Sequence, residues 1–145
     1  MKNFKLNEKD ILSNQDWTFP TTTYYGPGRF NEIAKFCEEF DIKNPLIVTD
    51  SGSKDLPFIK KLIALLSKNN IKSDLFYNIS PNPRDDEISK GCDQFKNGSH
   101  DSIIAIGGGS AMDGGKSICL TVNSETPLWD FEFEQPVPKI TKENA

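Results

Sequence analysis

Apolar positions along this chain recur at two spacings, and the two spacings alternate. Leu46-Ile47-Val48-Thr49 is a short unbroken run with a β-branched bias, which predicts a buried strand. Ser73-Asp74-Leu75-Phe76-Tyr77 predicts a second strand, and Ser102-Ile103-Ile104-Ala105-Ile106 is the clearest of the three. Around these runs the spacing becomes helical. Phe30, Ile33, Ala34, Cys37 and Phe40 mark one apolar stripe over residues 29–40, and Ile59, Leu62, Ile63 and Leu66 mark the next. Ile88, Cys92 and Phe95 mark a third stripe over residues 85–97, and Ala111, Gly115, Ile118, Cys119 and Val122 a fourth. The punctuation agrees. Gly26-Pro27-Gly28, Asp50-Ser51-Gly52-Ser53 and Ser80-Pro81-Asn82-Pro83 are turns or loops, Pro57 suits a first helical turn, and Asn69-Asn70 and Gly98 close helices.

Strand and helix in strict alternation predict an α/β fold, a Rossmann-like parallel sheet with helices on both faces. Upstream, Trp17, Phe19, Thr21, Thr23 and Tyr25 alternate with a second set, which predicts an N-terminal edge strand or hairpin, with Pro20 tolerated at an edge. Residues 125–145 carry three prolines and the aromatics Trp129, Phe131 and Phe133 without a period, and read as an irregular tail with exposed apolar surface. At 145 residues the whole chain, 1–145, reads as one domain.

Composition narrows the function. Lys plus Arg number 17 against 21 Asp plus Glu, a net charge of -4, which argues against a nucleic-acid partner. No apolar run approaches the roughly 18 residues that span a bilayer. Residues 1–8 hold no apolar stretch that would serve as a secretion signal. Cys37, Cys92 and Cys119 are odd in number, lack Cys-x-x-Cys spacing and fall on apolar stripes. They read as three packed thiols in a reducing cytoplasm. The single histidine, His100, stands in Gly98-Ser99-His100-Asp101 and reads as an exposed turn residue.

The chemistry concentrates where the third strand empties into Gly107-Gly108-Gly109-Ser110, with Asp113 and Lys116 following. A strand that ends in glycines and then a helix presents free backbone N–H groups, and the helix N-terminus adds about half a positive charge. Such a cradle suits a diphosphate, and the Ser110 hydroxyl is placed to donate. The competing reading is a tight turn that needs glycine. The Walker A pattern fails, because Ser110 stands where its first glycine should be. The Gly-x-Gly-x-x-Gly fingerprint fails as well, since it follows the first strand with an acid about 20 residues later. Here the first strand ends in Asp50 and Gly107 comes 57 residues after it, so acid and glycines occur in reversed order. In a parallel sheet both still reach one carboxyl edge. Asp50 is then either a turn cap or an acceptor for an adenosine ribose.

This arrangement resembles the iron-dependent (group III) alcohol dehydrogenase family over most of the chain. The likeness begins near Tyr25-Gly26-Pro27-Gly28, runs through Leu46-Ile47-Val48-Thr49-Asp50 and Pro81-Asn82-Pro83, and peaks at residues 104–116 with Gly-Gly-Gly-Ser-x-x-Asp-x-x-Lys. The resemblance implies hydride transfer between a nicotinamide cofactor and a primary alcohol or aldehyde. It implies a diphosphate held by Gly107, Gly108, Gly109 and Ser110, with Asp113 and Lys116 toward the nicotinamide end. Asp50 at the matching position implies NAD rather than NADP, because a carboxylate repels the additional phosphate. The resemblance also implies a homodimer as one possible assembly.

Family members are more than twice as long. A Thr-rich segment should follow a stretch such as residues 136–140, and a helical domain should bring one Asp and three His to Fe2+ or Zn2+. These are expected to be absent here, where His100 is alone. The expectation is therefore a nucleotide-binding N-terminal domain with no catalytic residue of its own and little turnover alone. A stand-alone nucleotide- or phosphate-binding module is the alternative.

Overall fold

In the computed structural model the described residues are 21–132 together with Pro136 and Pro138. Three strands, β1 (Pro45–Asp50), β2 (Asp74–Ile79) and β3 (Ser102–Ala105), alternate with four helices. These are α1 (Ile33–Glu39), α2 (Pro57–Lys68), α3 (Asp85–Asn97) and α4 (Gly109–Thr121). The strands form one parallel sheet in the order β2-β1-β3. The alternation read from the sequence is the architecture found.

The central strand explains why its sequence is apolar without alternation. Leu46 and Val48 face Phe76, Ile79, Ile88 and Ile118 on the α3/α4 side. Ile47 faces Cys37, Leu62 and Leu66 on the α1/α2 side. Successive side chains of a strand point to opposite faces, so a strand covered on both faces must be apolar throughout. Each such Leu, Ile or Val contributes about 1.5–3 kcal/mol through burial. β3 is as apolar as β1 yet only half-buried, because it is an edge of the described sheet.

β2 runs two residues beyond the predicted Tyr77. Its register against β1 slips between Val48 and Asp50, so that Asp50 pairs with Ile79. The extra residue puts Phe76 and Ile79 on the same face although they are three apart. That break in the two-residue period hid the end of the strand from pattern reading. α4 packs closely at Gly115, as predicted, where a Cβ would lie 2.5 Å from that of Ala105.

Several expectations need correction. The first helix opens as a 3₁₀ turn, Arg29–Glu32, entered from Gly28 at φ 82°, and only then becomes α-helical. Phe40 lies past its end and is exposed rather than packed, and Ile63 is also at the surface. Thr21–Tyr25 forms no strand, and Tyr25 is exposed; Trp17–Pro20 of that predicted edge strand lie outside the described residues. The tail contains a second 3₁₀ turn, Leu128–Phe131, whose Leu128 packs on the α3/α4 core. Trp129 is exposed, with its indole N–H donating to Asp85 Oδ2 at 3.1 Å. Phe131 is half-buried, and Phe133 and residues 139–145 lie outside the described residues.

Two single residues also differ. Cys119 is exposed, Cys92 half-buried, and only Cys37 fully packed, its thiol pKa raised by burial and secondarily by the Asp101 charge. His100 is buried rather than exposed, at 7%. Its Nδ1 lies 2.9 Å from the Asn44 carbonyl, and its Nε2 lies 3.4 Å from Asp74 Oδ2. The link from α3 to β3 is short, and the ring packs back against Phe95 and Gly98. Asn44 Nδ2 secures the link by donating to the carbonyls of Gly98 and Ser99.

Candidate functional site

The carboxyl ends of β1 and β3 meet through a buried side chain. Thr49 Oγ1 donates to the Ile106 carbonyl at 2.7 Å, and the Ile106 amide donates to the Val48 carbonyl at 2.9 Å. The chain is thereby pinned immediately before Gly107. Gly107 then turns at φ +142°, where a Cβ would lie 2.8 Å from the Ala111 Cβ and 3.0 Å from Asp50 Oδ2. A side chain has neither the conformation nor the space here. Gly108 and Gly109 differ, because a Cβ on either would meet nothing within 4 Å. Their openness leaves bare backbone facing space.

α4 begins at Gly109 with Gly108 as its cap residue and no side-chain cap. Its first backbone bond runs from the Met112 amide to the Gly108 carbonyl at 3.1 Å. The amides of Gly109, Ser110 and Ala111 precede that bond and have no partner within the helix. Among the described residues, no turn or loop bond uses the amides of Gly107 or Gly108 either. The positive end of a 13-residue helix stands behind them.

A cavity of about 310 Å³ opens here, lined by Asp50, Ser51, Gly52, Pro81, Gly108, Gly109 and Ser110. Asp50 and two of the glycines, Gly108 and Gly109, therefore share one concavity at the carboxyl edge of the sheet, and Gly107 does not line it. Asp50 is a turn cap as well. Its Oδ1 accepts from the Gly52 amide at 3.0 Å, and its Oδ2 from the Ser53 hydroxyl at 2.8 Å. The cap holds the carboxylate in place, and each oxygen retains a lone pair for a further donor. β2 is joined on by the Ser51 amide, which donates to the Ile79 carbonyl at 3.2 Å. Pro81 thus arrives as the third wall.

Asp113 and Lys116 do not line this cavity. Their side chains face one another at 3.7 Å on α4, both exposed. Sequence reasoning missed Thr49, which passed as the end of a strand, and the lining by Pro81, whose loop carried no chemical signal. It also missed Glu87, a buried carboxylate within the acidic run Asp85-Asp86-Glu87. Glu87 Oε2 accepts from the Ser80 amide (3.2 Å), the Ser80 hydroxyl (3.1 Å) and the Arg84 amide (3.1 Å).

The bare amides, the empty space over Gly108 and Gly109 and the helix terminus fit the diphosphate of a dinucleotide. Iron or zinc does not fit the described residues. No group of three His, Cys, Asp or Glu among them would hold a metal ion. No helix among them is long and apolar enough to cross a membrane.

Comparison with known proteins agrees with the fold. Residues 20–144 match the family described as iron-containing alcohol dehydrogenase. The 1,3-propanediol dehydrogenase of Klebsiella pneumoniae is 27% identical over 136 residues, covering 90% of this chain and 35% of that protein. The NADH-dependent butanol dehydrogenase A of Clostridium acetobutylicum is 32% identical over 128 residues, covering 88% and 32% respectively. The crystal structure of sulfoacetaldehyde reductase from Bifidobacterium kashiwanohense in complex with NAD+ superposes with a TM-score of 0.73 at 25% identity. That match covers 84% of this chain and 32% of the other. The chain thus spans about a third of the length of the relatives it matches. With a family match over most of its length and a shared fold, this chain belongs to the iron-containing alcohol dehydrogenase family.

Proposed function

We propose that residues 1–145 are the nucleotide-binding part of an NAD-dependent alcohol dehydrogenase, which interconverts a primary alcohol and an aldehyde by hydride transfer. NAD would lie with its diphosphate on the amides of Gly107, Gly108, Gly109 and Ser110 and an adenosine ribose at Asp50. The single observation that carries this reading is the cavity in which Asp50 faces unpartnered glycine amides at a helix N-terminus. When bound, the nicotinamide would accept the hydride from an alcohol or, in its reduced form, give it to an aldehyde. The protein's part is to fix the diphosphate and ribose, so that the rest of the dinucleotide leaves the sheet edge in one direction.

Asp50 supports NAD over NADP. A 2′-phosphate brought to a ribose beside this carboxylate would meet a fixed negative charge already held by Gly52 and Ser53. Asp113 and Lys116, about one and two turns further along α4, are proposed to lie toward the nicotinamide end. A homodimer and a cytoplasmic location complete the proposal; gel filtration and cell fractionation test them.

Calorimetric titration with NADH, NADPH, ADP-ribose and inorganic phosphate tests the reading. NADH and ADP-ribose should bind far more tightly than phosphate, and NADH more tightly than NADPH. Equal affinity for phosphate and NADH would overturn it in favour of a simple phosphate site.

A further inference from the structure

The segment Ser80–Arg84 forms the Pro81 wall of the cavity, yet it has little backbone to hold it there. Two of its five residues are prolines without an N–H, which leaves three amides. Two of those three, Ser80 and Arg84, donate to a single oxygen, Glu87 Oε2, and the Ser80 hydroxyl joins them. Glu87 Oε1 faces the Arg84 guanidinium at 3.3 Å. Glu87 as a whole is 5% exposed. Between the prolines, Asn82 sits in the left-handed region at φ 58°, which asparagine tolerates in turns.

A buried carboxylate at this place has a simpler explanation. Acceptance of the Arg84 amide alone would make Glu87 a helix cap, three residues into α3. A cap has no need of Ser80, which lies four residues before Arg84 at the far end of the proline loop. By holding both ends of the loop, the carboxylate closes Ser80–Arg84 into a clamp. Burial acts to raise the Glu87 pKa, and the hydrogen bonds from Arg84 and Ser80 outweigh it, so the group stays charged.

We infer that Glu87 is a positioning residue of the dinucleotide cavity, fixing Pro81 against the space that Gly108, Gly109 and Ser110 share. The inference rests on the cofactor reading above and adds a residue that touches no ligand. A positioning role predicts an affinity change in fully folded protein; a capping role predicts lost stability only.

The test uses the 145-residue chain at a temperature where every variant is folded by circular dichroism. Glu87→Ala should weaken NADH binding at least about tenfold and speed hydrogen exchange at the Ser80 and Arg84 amides. Ile88→Ala, in the core of the same helix, should lose stability and keep its NADH affinity within about twofold. Glu87→Gln, which keeps an acceptor oxygen, should recover part of the loss. Unchanged NADH affinity in folded Glu87→Ala, or unchanged exchange at both amides, would overturn the inference while leaving the cofactor reading intact. If Glu87→Ala does not fold, Glu87→Gln decides by the same two readouts. An unaltered chain that takes no NADH overturns the cofactor reading and this inference together.

Discussion

The Thr49 hydroxyl donates to the Ile106 carbonyl at 2.7 Å, from a side chain with no exposed surface. This bond joins the carboxyl end of β1 to the residue before the glycine run, and so sets where the run begins. Thr49→Val keeps the shape and leaves the carbonyl unpaired, which should cost about 1–3 kcal/mol. Urea denaturation reads that loss, and NADH titration should show weaker binding by the folded variant. A variant as stable as the parent would mean that the carbonyl finds another donor.

Two neighbouring glycines should respond in opposite ways. Gly107→Ala places a methyl against Ala111 and Asp50 at a φ that side chains avoid, and should cost about 1–3 kcal/mol. Gly109→Ala meets nothing within 4 Å and removes backbone freedom in the first turn of α4, so it should stabilise by about 0.4–1 kcal/mol. The same methyl occupies the space assigned to the diphosphate, so Gly109→Ala should lose NADH affinity while gaining thermal stability. Thermal melts beside titrations measure both.

Asp50→Asn retains an acceptor for the Gly52 amide and removes the charge. The ratio of NADH to NADPH affinity should fall by about tenfold, a change of about 1.4 kcal/mol. Calorimetry on the two cofactors checks it, and an unchanged ratio would remove Asp50 from cofactor selection.

Glu87 gives stability a defined acid limb. Its folded pKa lies below the ordinary carboxylate value, with burial opposed and outweighed by hydrogen bonds from Arg84 and Ser80. Its contribution is therefore complete above the unfolded value of about 4.3 and is lost as pH falls through the lower folded value. Asp86, held by Arg84 and Lys90, is lowered to about 2, but it is at the surface and adds little. Denaturation midpoints from pH 6 to about 2 should fall less steeply in Glu87→Gln than in the parent.

Much of this could be read before any coordinates. Leu46–Thr49 and Ile103–Ile106 announced their strands because burial on both faces leaves no polar position, and Gly107–Ser110 stood out because three glycines after such a run exceed what a turn requires. Asp50 was legible only as one of two readings, and the fold shows that capping the turn and lining the cavity occur together. His100 was misread because its neighbours are turn residues, whereas its ring is bonded to the Asn44 carbonyl, distant in sequence. Cys119 followed a helical stripe that the described residues do not cover. Thr49 and Glu87 act through bonds across 57 and 7 residues, which no local pattern encodes.

The most direct test follows backbone amide resonances of the 15N-labelled chain as NADH is added. The account predicts that Gly107, Gly108, Gly109 and Ser110 shift most, saturating together with Asp50 and Gly52. Saturable binding that leaves those amides unmoved, or no binding at all, would contradict it.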